Sequence, residues 1–313
     1  MKTLGMAMLM AAGASMLVAP ASPEPTQGQG QAVVTVLPKK NLEAPVNIIT
    51  AQDLQIRVNG KDSNVTNWVP LRGENGDLEL VVLIDGSART SLGQQLSDIA
   101  NFIKSLPPNV KIAVAYMENG RAAMAGPLSP DHAQVAHELR LPGGFPGSSG
   151  SPYFCLSDLA HHWPSSDHAA RHEVVMITDG IDNYDRRYDP EDPYVQAAVH
   201  DVVQAGLVVY SIYWRDEGRL DRSFYGAFDG QSLLSQVTQA TGGENYWVGT
   251  GDPVSFQPYF ENISLRLQNQ YRLSFDSGLK GKPQVETMNL KVGGTASKVY
   301  APQQVYVTHF AGE

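Results

Sequence analysis

Residues 81–90 read VVLIDGSART, an apolar run that ends in Asp85 with Ser87 two positions on. A second apolar run, VVMITDG, ends in Asp179. In an open α/β sheet, ligands sit beyond the carboxyl ends of the strands. Two strands that end in acid therefore place carboxylates where such a sheet presents its ligands. Ser87 shares the parity of Asp85 and can face the same point if the loop stays extended. Carboxylate and hydroxyl oxygens are hard donors, suited to Mg2+ or Ca2+ and unsuited to zinc. The chemistry on offer is cation binding through oxygen. Arg89, the next residue of that parity, is a permanent cation. A divalent ion a few ångströms away would repel it by several kcal/mol, on the order of twice the ~4 kcal/mol of a unit pair.

Other groupings point to chemistry less directly. The segment DGIDNYDRRYDPEDPY (179–194) crowds Asp182, Asp185, Asp189, Glu191 and Asp192 together, with Arg186 and Arg187 offsetting part of the charge. It lacks the 12-residue EF-hand pattern, and a solvated loop with Asp192 capping the next helix is the favoured reading over a Ca2+ site. In HHWPSSDHAARH, His168 and His172 are four apart and could share a helix face. Without a His-Glu-x-x-His motif, that stretch reads as polar surface leading into a strand. The single cysteine, Cys155, excludes an internal disulfide and reads as a small buried apolar residue. There is no Gly-x-Ser-x-Gly elbow, no phosphate loop and no dinucleotide fingerprint. Ser87 has no assignable base, so the chain reads as a non-enzyme.

The elements that would position these residues alternate. LELVVLI (78–84) is uniformly apolar, as a strand buried on both faces should be. Leu92, Leu96, Ile99, Ile103 and Leu106 follow at helical spacing. KIAVAYM, RAAMAG, EVVMITDG, LVVYSIYW and NYWVG read as further strands. SPDHAQVAHELR, DPYVQAAVHDVVQAG, QSLLSQVTQATGG and DPVSFQPYFENISLRLQNQ read as helices. This alternation predicts a doubly wound, mostly parallel six-stranded α/β sheet over residues 78–268. On either side the text is β-like. Residues 32–77 and 269–313 form flanking segments that should pair, since the ends of an inserted domain lie close together, and should make a small sandwich-like unit.

Residues 1–21 carry Lys2, an apolar run from Leu4 to Val18 and the small-residue site Ala19-Pro20-Ala21, the pattern of a cleaved signal peptide. Residues 22–31, SPEPTQGQGQ, read as a disordered linker. No Cys adjoins the cleavage site, so the chain is not read as a lipoprotein, and a periplasmic or secreted location follows. The net charge of -9 over 313 residues gives no reason to bind nucleic acid or an anionic membrane, and no later stretch is apolar enough to span one.

VVLIDGS followed by an amphipathic helix, and VVMITDG about 90 residues later, resemble the von Willebrand factor type A (vWA) domain. With its flanking β-text, the whole chain resembles bacterial, acidobacterial-type VWFA-related proteins. The resemblance implies a metal-ion-dependent adhesion site built from Asp-x-Ser-x-Ser, a Thr from a later loop and the Asp of Thr-Asp-Gly. It also implies a protein partner whose carboxylate completes the shell around Mg2+. Asp85 and Ser87 match the first two positions and Asp179 the last, while Arg89 replaces the second serine. In GSSGSPYFCLSDLA, where LSDLA (156–160) matches the family's helix start, Ser151 is the best candidate for the Thr position and Ser149 the second. The implied function is an exported protein that binds a protein partner through a degenerate metal site at Asp85, Ser87, Ser151 and Asp179, with Ca2+ a weaker fit than Mg2+. The alternative is an envelope assembly protein that binds through its β-segments, its metal site a relic.

Overall fold

The computed structural model describes residues 28–38, 49–88, 91–144, 150–182, 184, 188–215, 224–249, 251–279, 281–293 and 297–308. The chain opens with β1 (Gln29–Pro38), β2 (Leu54–Val58) and β3 (Lys61–Pro70). Then come β4 (Leu78–Asp85), α1 (Leu96–Ser105), β5 (Val110–Glu118), β6 (Arg121–Met124), α2 (His132–His137) and α3 (Pro152–His161). They are followed by β7 (Arg171–Thr178), α4 (Pro193–Gln204), β8 (Val208–Tyr213), α5 (Phe224–Thr241), β9 (Asn245–Tyr246) and α6 (Gln257–Gln268). The chain closes with β10 (Gln270–Asp276), β11 (Gln284–Val292), β12 (Ser297–Tyr300) and β13 (Gln304–Thr308).

The fold class expected from the sequence, a doubly wound parallel sheet with flanking β-segments, needs correction. The flanking strands close into a six-stranded antiparallel barrel in the order β10-β3-β2-β11-β13-β1, sealed by the β1–β10 pairing, with β12 added alongside β1. The second sheet is mixed. A sandwich-like unit was also expected, and the closed ring replaces it. The physical reason is that closure depends on pairings between distant residues, such as Val33 with Arg272 and Gln29 with Thr308. The local alternation of each strand is the same in an open sheet and in a ring. Closure leaves the ring without free edges. Alternate residues Ala32, Val34 and Val36 of β1 and Tyr271, Leu273 and Phe275 of β10 fill its interior. β1 also takes in residues 29–31, the end of the segment read as a linker.

The mixed sheet runs β6-β5-β4-β7-β8-β9. β5, β4, β7, β8 and β9 pair in parallel, and β6 is antiparallel to β5 through the Asn119-Gly120 turn. All eight residues of β4 are buried. Leu80, Val82 and Ile84 face α1 and α6, while Val81 and Leu83 face α3, α4 and α5. A strand in this position must be apolar on both faces, which explains the continuous run.

The barrel meets the amino ends of the parallel strands through buried polar contacts. Arg171 donates to the carbonyl oxygens of Leu71 (3.1 Å) and Leu267 (3.0 Å) and lies 3.4 Å from the Glu173 carboxylate. Arg266 pairs with Glu244 and sits over the Tyr300 ring at 3.9 Å. Among the described residues, no helix is long and apolar enough to cross a membrane.

Candidate functional site at the carboxyl edge of the mixed sheet

β4 and β7 are neighbours in register, with Ile84 opposite Ile177. Their carboxyl ends therefore emerge side by side. Asp85 ends β4, and its carboxylate is held by three neutral donors. Oδ1 accepts from Ser87 N (2.9 Å) and from Ser87 Oγ (2.5 Å), and Oδ2 accepts from Thr178 Oγ1 (2.7 Å). Thr178 Oγ1 in turn accepts from Gly180 N at 3.2 Å. Asp179 Oδ1 accepts from Ile181 N at 3.0 Å. Ser151 caps α3, with its hydroxyl accepting from Tyr153 N at 3.3 Å and Pro152 in the first helical turn. The Tyr153 hydroxyl donates to Gly180 O at 2.6 Å and so ties the start of α3 to the turn after β7.

Gly180 sits at φ +69°, and a Cβ there would meet Leu234 Cγ at 2.4 Å and Gly230 O at 2.6 Å. Only glycine lets this turn pack against α5. The four oxygen-bearing residues are almost wholly buried: Asp85 4%, Ser87 2%, Ser151 0% and Asp179 3% exposed.

The local electrostatics are negative. Burial pushes the Tyr153 hydroxyl well above its ordinary pKa, and Asp179, Asp182 and Asp192 push it further the same way. Tyr153 therefore stays protonated as a donor. Burial likewise raises the Cys155 thiol, with Asp85 and Asp158 adding to the effect. This free, buried cysteine is a packing residue without thiolate character.

The sequence-derived residues are thus gathered at one edge. Asp85, Ser87 and Asp179 are linked through the ends of β4 and β7, and Ser151 is joined to them by way of Tyr153. Arg89 and Ser149 lie outside the described residues, as do Asp185, Arg186, Arg187 and the signal segment 1–21. Thr178 and Tyr153 were not singled out from sequence. Thr178 is the letter before Asp179, but its bond to Asp85 depends on strand adjacency that no local pattern reports. In the acidic loop, Asp182 accepts from Tyr184 N, Asp189 from Glu191 N, and Asp192 from Tyr194 N and Val195 N as the cap of α4. His168 and His172 do not share a helix. His168 lies in a bend, whereas His172 is in β7 with its Nε2 2.9 Å from Asp167 O.

Among the described residues, no three His, Cys, Asp or Glu side chains converge to hold a metal. A cation at this edge would rely on two carboxylates, two hydroxyls and water. That all-oxygen set fits Mg2+, which keeps several waters. Ser87 Oγ donates its proton to Asp85, a bond that leaves its lone pairs able to accept or to ligate.

In this mixed sheet, acid-ended neighbouring strands and a hydroxyl-capped helix meet at the same edge. No protein-family model matches the sequence, and no curated protein matches it. Among solved structures, the chain is similar to an aerotolerance-related membrane protein from Bacteroides fragilis, carrying multiple mutations to serine, at 15% identity. That match covers 61% of this chain and 98% of the other, with a TM-score of 0.42. It is similar to the SpRpn10 VWA domain at 12% identity, over 59% and 94% of the two chains, with a TM-score of 0.37. It is also similar to the pilus adhesin SpaC from Lactobacillus rhamnosus GG in its open conformation, at 11% identity. There the match covers 83% of this chain and 48% of the adhesin, about half its length, with a TM-score of 0.43.

Proposed function

We propose that this is an exported vWA-type protein that binds a protein partner at the carboxyl edge of the mixed sheet. In this reading a divalent cation is held by Asp85, Ser87, Ser151 and Asp179. One observation carries it. The large apolar side chains most exposed among the described residues are Leu141, Tyr184, Tyr188, Tyr194, Phe228, Trp247, Val248 and Val254. Tyr184, Tyr188 and Tyr194 stand on the loop and helix start that follow Asp179 at that edge, whereas Trp247 lines a cleft with Val299 and Tyr300 of the barrel. Phe154, Tyr184 and Tyr194 pack edge-to-face there, with ring centroids 5.0–5.8 Å apart. An apolar, aromatic rim around a polar centre is the composition of a protein-binding surface. The cation would supply positive charge at a negative edge and an open position for a partner oxygen.

The test is thermal unfolding of the mature protein in EDTA and then in millimolar Mg2+, Mn2+ or Ca2+. The midpoint should rise with a cation in the wild type and stay fixed in folded Asp85→Ala, because a ligand that binds only the native state stabilises it. Asp85→Ala and Asp179→Ala should also lose partner binding while remaining folded. Unchanged partner affinity in both would sink the proposal. Export is tested separately, by the mass of the protein recovered from outside the cytoplasm. It should begin at Ser22, and a retained Met1 would exclude cleavage.

A further inference from the structure

We propose a second ligand site at the opposite, amino edge of the mixed sheet, where a small polyanion of the phosphate-ester or polycarboxylate type binds between the sheet and the barrel wall. A cleft of about 400 Å3 lies there, within the size range of small-molecule sites. Its walls come from both parts of the molecule. The barrel contributes Gln31, Arg272 and Gln304, the start of β7 contributes Arg171 and His172, and the bend before it contributes His168. Among the described residues that line it there is no Asp or Glu. In a chain of net charge -9, a concave surface with basic side chains and no lining acid runs against the average.

Two of the basic groups are already compensated. Arg171 is 3.4 Å from Glu173, and His172 is 3.4 Å from Glu79. The uncompensated character therefore rests on Arg272 and His168. Arg272 alternates with the inward-facing Tyr271 and Leu273, so its side chain leaves the outer wall of the barrel. Its guanidinium donates Nη2 to Ala169 O at 2.9 Å. That bond fixes the planar fork at the cleft, and most of its five donors are not used by it. Such a fork, held in place and partly desolvated, is what recognises phosphate or carboxylate oxygens in pairs. The end of α4 also borders the cleft, at Ala205 and Gly206. A helix carboxyl end disfavours anions, so the ligand is placed on the Arg272–His168 side, with the amides of Gln31 and Gln304 within the same wall.

The experiment is isothermal titration of the full mature chain with inorganic phosphate and, separately, with citrate, at low ionic strength. At least one should bind saturably. Phosphate alone points to a phosphate ester and citrate alone to a polycarboxylate. Arg272→Gln should weaken the binding at least tenfold and His168→Gln several-fold, while Asp85→Asn leaves it unchanged. That last variant separates this site from the one at the carboxyl edge. Phosphate also stabilises proteins by exclusion from their surface, which is why saturation and the variants are read instead of a melting point. No saturable heat with either anion overturns the proposal, as does equal affinity in the folded variants. If Arg272→Gln fails to fold for want of the Ala169 bond, His168→Gln, at an exposed bend, decides the matter.

Discussion

Strand β4 carries a buried acid near each end, and the two are held differently. Glu79, at the amino end, accepts from Lys111 Nζ at 3.1 Å and Trp163 Nε1 at 2.9 Å, with His172 at 3.4 Å stacked beneath the Trp163 ring. Burial alone would push its carboxyl up. Hydrogen bonds from Trp163, Ser165 and Lys111 outweigh that and hold it below the ordinary range. Asp85, at the carboxyl end, is held by Ser87 and Thr178 through neutral donors. One acid is matched by a cation, while the other has its charge spread over hydroxyls and a backbone N–H. A buried carboxylate with its own cation is complete as structure. One held by neutral groups still attracts a cation from outside. The contrast separates what holds the barrel side together from what the opposite edge can offer a ligand.

The largest effect should come from breaking the complete set. Glu79→Ala leaves Trp163 Nε1 without its acceptor, takes from Lys111 its nearer carboxylate, and removes the charge beside His172. It should cost about 3 kcal/mol, the lower end for breaking a buried pair because Lys111 is half-exposed. Urea unfolding of the variant measures this directly. A loss below ~1 kcal/mol, the range of a surface pair, would mean that the Glu79 cluster adds little and that the two ends of β4 are not so different.

Acid titration sharpens the same contrast by a smaller amount. The Glu79 carboxyl is lowered in the folded state from an ordinary value of 4.5. Its contribution is therefore present above about 4.5 and is lost as pH falls through the folded value. Glu173, on the neighbouring strand β7, goes the other way. Burial raises it, and Arg171 offsets only part of that. Its ionisation costs stability once pH rises above 4.5 and through its raised folded value. Denaturant midpoints measured from below pH 4.5 to neutrality should thus show the deficit of Glu79→Gln shrinking on acidification. Over the same range, the difference between Glu173→Gln and wild type should grow from acid to neutral pH, with the variant gaining. Parallel curves for all three proteins would remove the assignment of opposite shifts.

The candidate site was legible in sequence because strand-end chemistry is local. An apolar run that stops at Asp85 or Asp179 announces both the strand and the edge, whereas Ser151 came only from the family resemblance, which set the helix start at LSDLA (156–160), four residues after α3 begins. Thr178 and Tyr153 were not legible, since each acts across elements: Thr178 on the neighbouring strand, Tyr153 on the turn after β7. The barrel was hidden for the same reason on a larger scale. The alternation in β1 and β10 reports one buried face, but the pairing of residues more than two hundred positions apart decides that the sheet closes. The spacing of His168 and His172 misled because four-residue spacing means proximity only in a helix, and this segment is a bend followed by a strand.

The smallest effect on stability should come from Asp85→Asn, and it is the most discriminating. The amide keeps an acceptor oxygen for one of the two hydroxyl groups, Ser87 or Thr178, and removes a charge that no cation in the described fold offsets. The lost hydrogen bond and the relieved charge oppose one another, so the net change in unfolding free energy should stay within about 1 kcal/mol. Stabilisation by a divalent cation should disappear all the same, because a neutral amide is a poor ligand for Mg2+. Stability and ligand response are then uncoupled at Asp85, whereas Glu79→Gln should lower stability and leave the cation response intact. If Asp85→Asn instead unfolds the protein as readily as Glu79→Ala does, then Asp85 belongs with Glu79 as a structural acid. The carboxyl edge would then lose its claim to be the binding face.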